Sequence, residues 1–465
     1  MKWNLATFSR LRNAAVSWFF VLNALRFASG IFLLPLLLHS LSTPDLGFYY
    51  VLLNIAAMAP LMDLGLLISV ERSVAYATAG ATELRAHGLN PAEQGTRKRP
   101  NYLLLWQLLA TTRAAYARIA LILLLVLGLA GTLITSFRVS QTSSPTITWI
   151  ALALTVVSCV FEIYTSWWNA FLRGMNHMLL SLRILVLAYV VKLALACCFL
   201  LAGGGLLSIP AAGVFSSLLA QTLSRRACLR HLPVPEGSAV SRDTIASLFR
   251  VLWPNSWRAG LQLLSGYLGT NASGLICIFA FGLTVNAQYG LSVQVATMIQ
   301  SMSMVWFSVK WPMVSQYRAR HDHAGLRTMI LPRLWLQIAT YALLALPAFF
   351  IGPKLLVLIG SGKAIIPEHW FFLLLLTGLL DTQAVFWTTL LSTENQIPSM
   401  RAVILTNIAS VLLAMLLINT TDLKLGALIA APLVAGSVFN YWYWPKAGAR
   451  SLHTTWLRFM FCKPA

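Results

Sequence analysis

Residues 19–38 read FFVLNALRFASGIFLLPLLL, and Arg26 is the one charged residue among them. Coiled as a helix, a run of this length covers about 30 Å, the thickness of the hydrocarbon core of a bilayer. A guanidinium near the middle of such a span costs roughly 2.5–3.5 kcal/mol on insertion scales, so its presence asks for a partner. Similar apolar runs recur along all 465 residues, which are 58% hydrophobic and 10% charged. A soluble domain carries about a quarter charged residues and has no interior large enough to hide this much apolar surface. The expectation is an all-α, polytopic membrane protein.

Twelve spans are predicted, near 13–38, 46–70, 114–136, 147–170, 182–202, 205–222, 252–281, 287–309, 331–352, 369–391, 401–419 and 423–444. Gly203-Gly204-Gly205 separates the fifth from the sixth as a flexible turn. Residues 101–118 read as an amphipathic, interfacial lead-in to the third span. With both termini placed in the cytoplasm, 27 of the 34 Lys and Arg fall in cytoplasmic segments. Four, Arg138, Lys354, Lys363 and Lys424, fall outside, and Arg26, Lys192 and Arg258 stay within spans. That bias follows the positive-inside rule. It accounts for most of the net charge of +21 without a nucleic-acid partner. Trp149, Trp253, Trp311, Trp370, Trp442 and Trp444 lie near predicted span ends, where amphipathic rings prefer the interface. The six cysteines have no CxxC spacing and fit neither a disulfide framework nor a zinc site. Met1–Arg12 is basic, but the run that follows is span length and lacks an A-x-A cleavage site, so no cleavable signal is expected. His321-Asp322-His323 reads as a solvated loop segment rather than a metal site.

Residues 79–100 and 231–247 are the sizeable loops, both predicted cytoplasmic. The second divides an N-terminal lobe of six spans (1–222) from a C-terminal lobe of six (251–465), joined by a linker at 223–250. Arg26 and Arg258 each occupy the first span of a half. The second spans both open on a tyrosine, in LGFYYVLL at 46–53 and NAQYGLSVQ at 286–294. Two six-span halves share one orientation, which implies a pseudo-two-fold axis along the membrane normal and a substrate site between the lobes.

Three stretches carry a family resemblance. FYYVLLNIAAMAPLMDLGLLISVERSVA at 48–75 resembles the second span of bacterial polysaccharide exporters, and AFLRGMNHM at 170–178 resembles their junction after the fourth. NAQYGLSVQVATMIQSMS at 286–303, leading into WPMVSQYRARHDHAGLR at 311–327, is similar to their eighth span and following loop. The family is that of Wzx-type lipid-linked oligosaccharide flippases, in the multidrug/oligosaccharidyl-lipid/polysaccharide exporter (MOP) superfamily. The resemblance implies a V-shaped, two-lobed transporter of the bacterial inner membrane. It would move undecaprenyl-diphosphate-linked repeat units to the outer leaflet by alternating access, for O-antigen, capsule or exopolysaccharide synthesis. Many relatives carry an acid late in the seventh span; here Asn271 and Ser273 are uncharged, which puts any role of that acid in doubt.

Given that resemblance, Arg26, Arg258 and Lys192 are the candidate ligands for the cargo diphosphate. Fixed cations replace the solvation that hydrocarbon denies an anion, and arginine grips phosphate through paired N–H donors. Arg26 equally fits a permanent partner such as Asp63 or Glu162, and Arg258 is near enough to its span's end to snorkel. The intramembrane acids Asp381, Glu162 and Asp63 are candidates for H+ or Na+ coupling, or else partners of a cation or helix terminus. Glu71 and Arg72 are expected to make interfacial contacts. No cofactor is expected beyond a coupling ion. The expected partners are the lipid-linked sugar, membrane lipids and polysaccharide polymerase or assembly proteins, with the transporter itself a monomer. Two rivals remain: a multidrug or organic-cation efflux antiporter of the same superfamily, whose site should be acidic and aromatic, and a membrane polysaccharide polymerase or ligase. The latter usually carries a substantial periplasmic loop, whereas the outer loops predicted here are short.

Overall fold

The computed structural model describes residues 15–84, 100–233, 240–308, 314, 317, 323–358, 362–392 and 400–461. The side chain of Arg258 and residues His321 and Asp322 lie outside the described ones. Among the described residues ten helices are long and apolar enough to cross a membrane. One of them, Leu263–Ser308, is 46 residues long, twice what a crossing needs, and is bent at Gly282. Helix α1 (Ala15–Ser40) adds a further 26 residues in which only Arg26 is charged. Counting both arms of the bent helix and α1 gives the twelve membrane-length segments expected from sequence.

The chain forms two compact units, Met1–Leu264 and Ser265–Ala465. The first contains α1, α2 (Thr43–Ala56), α3 (Leu66–Thr78), α4 (Tyr102–Arg138), α5 (Pro145–Gly174), α6 (Met178–Leu201) and α7 (Ser208–His231). Helix α5 packs along α7, α6 along α7, and α1 along α6. The buried face of α7 explains the first of these: Ser208, Ala212, Ser216, Ala220 and Ser224 recur every fourth residue. Small side chains at that spacing let backbones approach, which is how helices associate where lipid is as apolar as leucine. A Cβ on Gly213 would stand 2.7 Å from the Ser158 hydroxyl. The Gly203–Gly205 turn forms as predicted, with φ of 82° at Gly203 and 48° at Gly205.

Two predicted boundaries change. Residues 101–118 are no separate lead-in: the Asn101 side chain accepts the Leu104 N–H and starts one helix of 37 residues that runs to Arg138. The second span is not continuous over 46–70. It breaks into α2, a 3-10 turn at Ala59–Asp63 containing Pro60, and α3. Leu64 and Gly65 take left-handed φ values of 47° and 71° between the turn and α3. Helix α8 (Arg242–Ser308) passes through the boundary between the units. Its first arm abuts the break, with Ser256 Oγ donating to Ser69 Oγ at 3.0 Å. A Cβ on Gly260 would lie 2.8 Å from the Leu64 Cα.

The second unit contains the far end of α8, then α9 (His323–Phe350), α10 (Gly352–Leu358), α11 (Glu368–Ser392), α12 (Met400–Thr420), α13 (Ala427–Val438), α14 (Asn440–Ser451) and α15 (Trp456–Phe461). The loop expected at 282–286 is instead a bend, made by Gly282 at φ 84°. One core of this unit gathers Phe307, Phe386, Trp387, Leu390 and Trp444. Trp444 is therefore a core residue and no interfacial anchor, whereas Trp442 two residues earlier is exposed.

Candidate functional site

Asp381 lies in the interior of α11, and its Oδ1 accepts the Tyr441 hydroxyl at 2.8 Å. Its side chain is exposed. Among the described residues no Lys, Arg or His nitrogen comes within 4.0 Å of it. Polar groups surround this part of α11. Tyr341 of α9 donates its hydroxyl to the Leu375 carbonyl at 2.6 Å. Gly378 leaves room for the Gln300 amide and the same tyrosine hydroxyl, which would stand 2.6 and 2.7 Å from a Cβ there. The Gln383 amide donates to Gln337 Oε1 at 3.4 Å, and Gln337 is wholly buried.

Asp63 ends the 3-10 turn of the broken second span and is buried. One carboxylate oxygen accepts the hydroxyl of the fully buried Tyr116, and the other accepts the Leu67 N–H at 3.2 Å. This is the geometry of a helix-terminus partner, one of the roles the sequence leaves open to it. Glu71 pairs with Arg173 at 2.7 Å, fastening α3 to α5. Glu162 on α5 is exposed and Lys192 on α6 is half-buried. Both lie within electrostatic reach of the buried Cys159 thiol, yet make no ion pair among the described residues.

Arg26 stands on α1 one turn from Leu22 and one from Ser29. Those two meet α6, Leu22 against Leu182 and Val186, and Ser29 Oγ 2.8 Å from the Tyr189 hydroxyl. The Arg26 side chain is exposed, and no carboxylate among the described residues lies within 4.0 Å of it. Lower on the same seam the Arg183 guanidinium sits 5.5 Å from the centre of the Trp18 ring. Sequence reasoning missed Tyr441, Tyr116 and Arg183. Tyr441 lies in NYWYW, which reads as an aromatic belt, and Tyr116 lies among residues read as interfacial. Nothing along the chain links either to an acid more than 50 positions away.

No family model and no curated sequence matches this chain. Solved structures do match. An inward-facing multidrug resistance MATE family transporter of the MOP superfamily superposes with a TM-score of 0.66 at 12% identity, over 93% of this chain and 95% of its own. The MATE multidrug transporter DinF-BH, solved as a complex with a ligand, gives 0.58 at 13%, over 98% and 96%. A Pyrococcus furiosus MOP superfamily transporter, described as having a binding pocket of reversed polarity, gives 0.51 at 13%, over 96% and 98%. The chain has the MATE transporter fold. On that fold all of the candidate charges lie on membrane-length helices or, for Asp63, at a break within one.

Proposed function

We propose that the chain is a cation-coupled secondary transporter that exports bulky amphipathic organic compounds, with Asp381 as its coupling group. The observation that carries this is the state of Asp381: an acid in a membrane-length helix whose one hydrogen-bond partner among the described residues is a neutral phenol. Such a carboxylate is costly in a membrane unless a cation compensates it during the working cycle. H+, Na+ or a cationic substrate supplies that charge. The MATE fold supports the reading, as does the description of two neighbours as multidrug transporters. On this reading the protein is a monomeric, multi-pass protein of the bacterial inner membrane with both termini in the cytoplasm, and it performs no covalent chemistry. Cells that overproduce it should gain resistance to lipophilic organic cations, and D381N should abolish the gain at equal membrane abundance. Full resistance with D381N would reject the reading.

A second reading, flipping of an undecaprenyl-diphosphate-linked oligosaccharide, is favoured by Arg26. Its guanidinium is exposed and has no carboxylate partner among the described residues, as a group reserved for an anionic cargo requires. Lys192, on the neighbouring α6, adds a second cation without an ion pair. Reconstituted into liposomes with the lipid-linked sugar, the protein should flip it and R26A should not. Unimpaired flipping by R26A would remove the reading's support.

A further inference from the structure

The last span is interrupted at one residue. Between α13 and α14, Phe439 has φ −142° and ψ −53°, and its N–H reaches the Gly436 carbonyl at 3.3 Å. The interruption changes the span's packing partner: α13 lies chiefly along α12, whereas α14 lies chiefly along α11. It also brings the Tyr441 ring back over Gly436, where a Cβ would stand 2.3 Å from Tyr441 Cζ. No side chain but hydrogen fits at 436 while that ring is in place. The phenol delivered in this way makes the 2.8 Å bond to Asp381.

We propose that Tyr441, seated on Gly436 by the interruption at Phe439, is the positioning residue that holds and orients the Asp381 carboxylate. The inference rests on the reading of Asp381 as the coupling group. Two hydroxyls lie along this part of α11, Tyr441 of α14 on Asp381 itself and Tyr341 of α9 beside Gly378. The Tyr341 hydroxyl donates its hydrogen bond to the Leu375 carbonyl, so Tyr441 is the donor to Asp381 among the described residues. A hydrogen bond to a charged oxygen favours the ionised form. Removing it raises the protonated fraction of Asp381 at a given pH.

Dicyclohexylcarbodiimide reacts with protonated carboxyls in apolar surroundings, so its rate of attachment to Asp381 reads that fraction. The full-length protein in liposomes would be treated at constant pH and the adduct followed by mass spectrometry, with Glu162 of the first unit as the internal control. Y441F should label Asp381 faster by about tenfold, the effect of one charge-assisted bond, with Glu162 unchanged. G436A should reproduce that gain by displacing the ring, and the double variant should add nothing to either single change. A wild-type rate in Y441F overturns the proposal. So does a wild-type rate in G436A, or gains that multiply in the double variant. If G436A does not fold, Y441F decides alone. Transport by D381N is measured separately: normal coupled transport would reject Asp381 as the coupling group while leaving the labelling result intact, so the two failures are distinguishable.

Discussion

At the scale of single residues, what matters is how each charge is compensated. Asp63 is surrounded by protein and satisfied by two donors, the Tyr116 hydroxyl and the Leu67 N–H. Removing its carboxyl would take away the acceptor of a buried phenol and of the Leu67 amide, at about 1–3 kcal/mol for a buried group left unsatisfied. The Glu71–Arg173 pair has side chains 38% and 22% exposed, so water competes for it. Pairs of that kind contribute at most about 1 kcal/mol. D63A should therefore lower the thermal unfolding midpoint of the detergent-purified protein more than E71Q does. D63N, which keeps one acceptor oxygen, should fall between. The opposite order would mean that the break in the second span does not depend on its acid.

At the scale of elements, glycines and helix ends separate packing from propensity. A Cβ on Gly174, at the end of α5, would come within 2.7 Å of the Glu71 carbonyl and of Val74 Cβ, both parts of α3 close to its backbone. Gly128, inside α4, would meet nothing within 4 Å. G174A should destabilise by about 1–3 kcal/mol through overpacking. G128A should stabilise by about 0.5–1 kcal/mol, since alanine loses less backbone freedom in a helix. Melting curves of the two variants against wild type test both signs. Titration acts at another element junction. The rings of His177, which precedes α6, and His231, which ends α7, are centred 4.1 Å apart. Burial, and then His231, hold the His177 imidazole below the usual histidine value. The folded chain thus resists a proton that the unfolded chain accepts near pH 6.5. The contact's contribution is complete above about pH 6.5 and is lost as the pH falls through the lower folded value. Amide exchange at residues 175–179, corrected for intrinsic rates, should rise on acidification, and H177Q should flatten that response.

At the scale of the whole molecule, the excess of Lys and Arg on alternate predicted segments predicts an orientation in the bilayer. Alkaline phosphatase fused after residue 141 should be active, because Arg138 is expected on the side with few basic residues. Fused after residue 84 it should be inactive. Reversed activities would invert the topology and move every charge assignment to the opposite leaflet. The number of membrane-length segments could be read from run length, and the turn at 203–205 from three glycines. The Asp381–Tyr441 and Asp63–Tyr116 pairs could not. Their partners lie 60 and 53 positions apart, and neither pair leaves a periodic trace in the sequence. Trp444 shows the same limit, because a tryptophan near a span end looks alike whether it faces headgroups or a core.

By itself, then, the sequence determined that this protein is helical, how many of its segments are long and apolar enough to cross a membrane and which segments carry its positive charge. Those properties depend on local apolar length and on composition, which a linear reading can sum. Only the tertiary structure decided which acids are already satisfied, which charges remain without an ionic partner, and where spans two and twelve are interrupted. In lipid, a leucine facing a neighbouring helix and one facing acyl chains lie in equally apolar surroundings. Hydropathy therefore cannot say which face of a span is packed, and hydrogen bonds between distant turns must be seen in three dimensions.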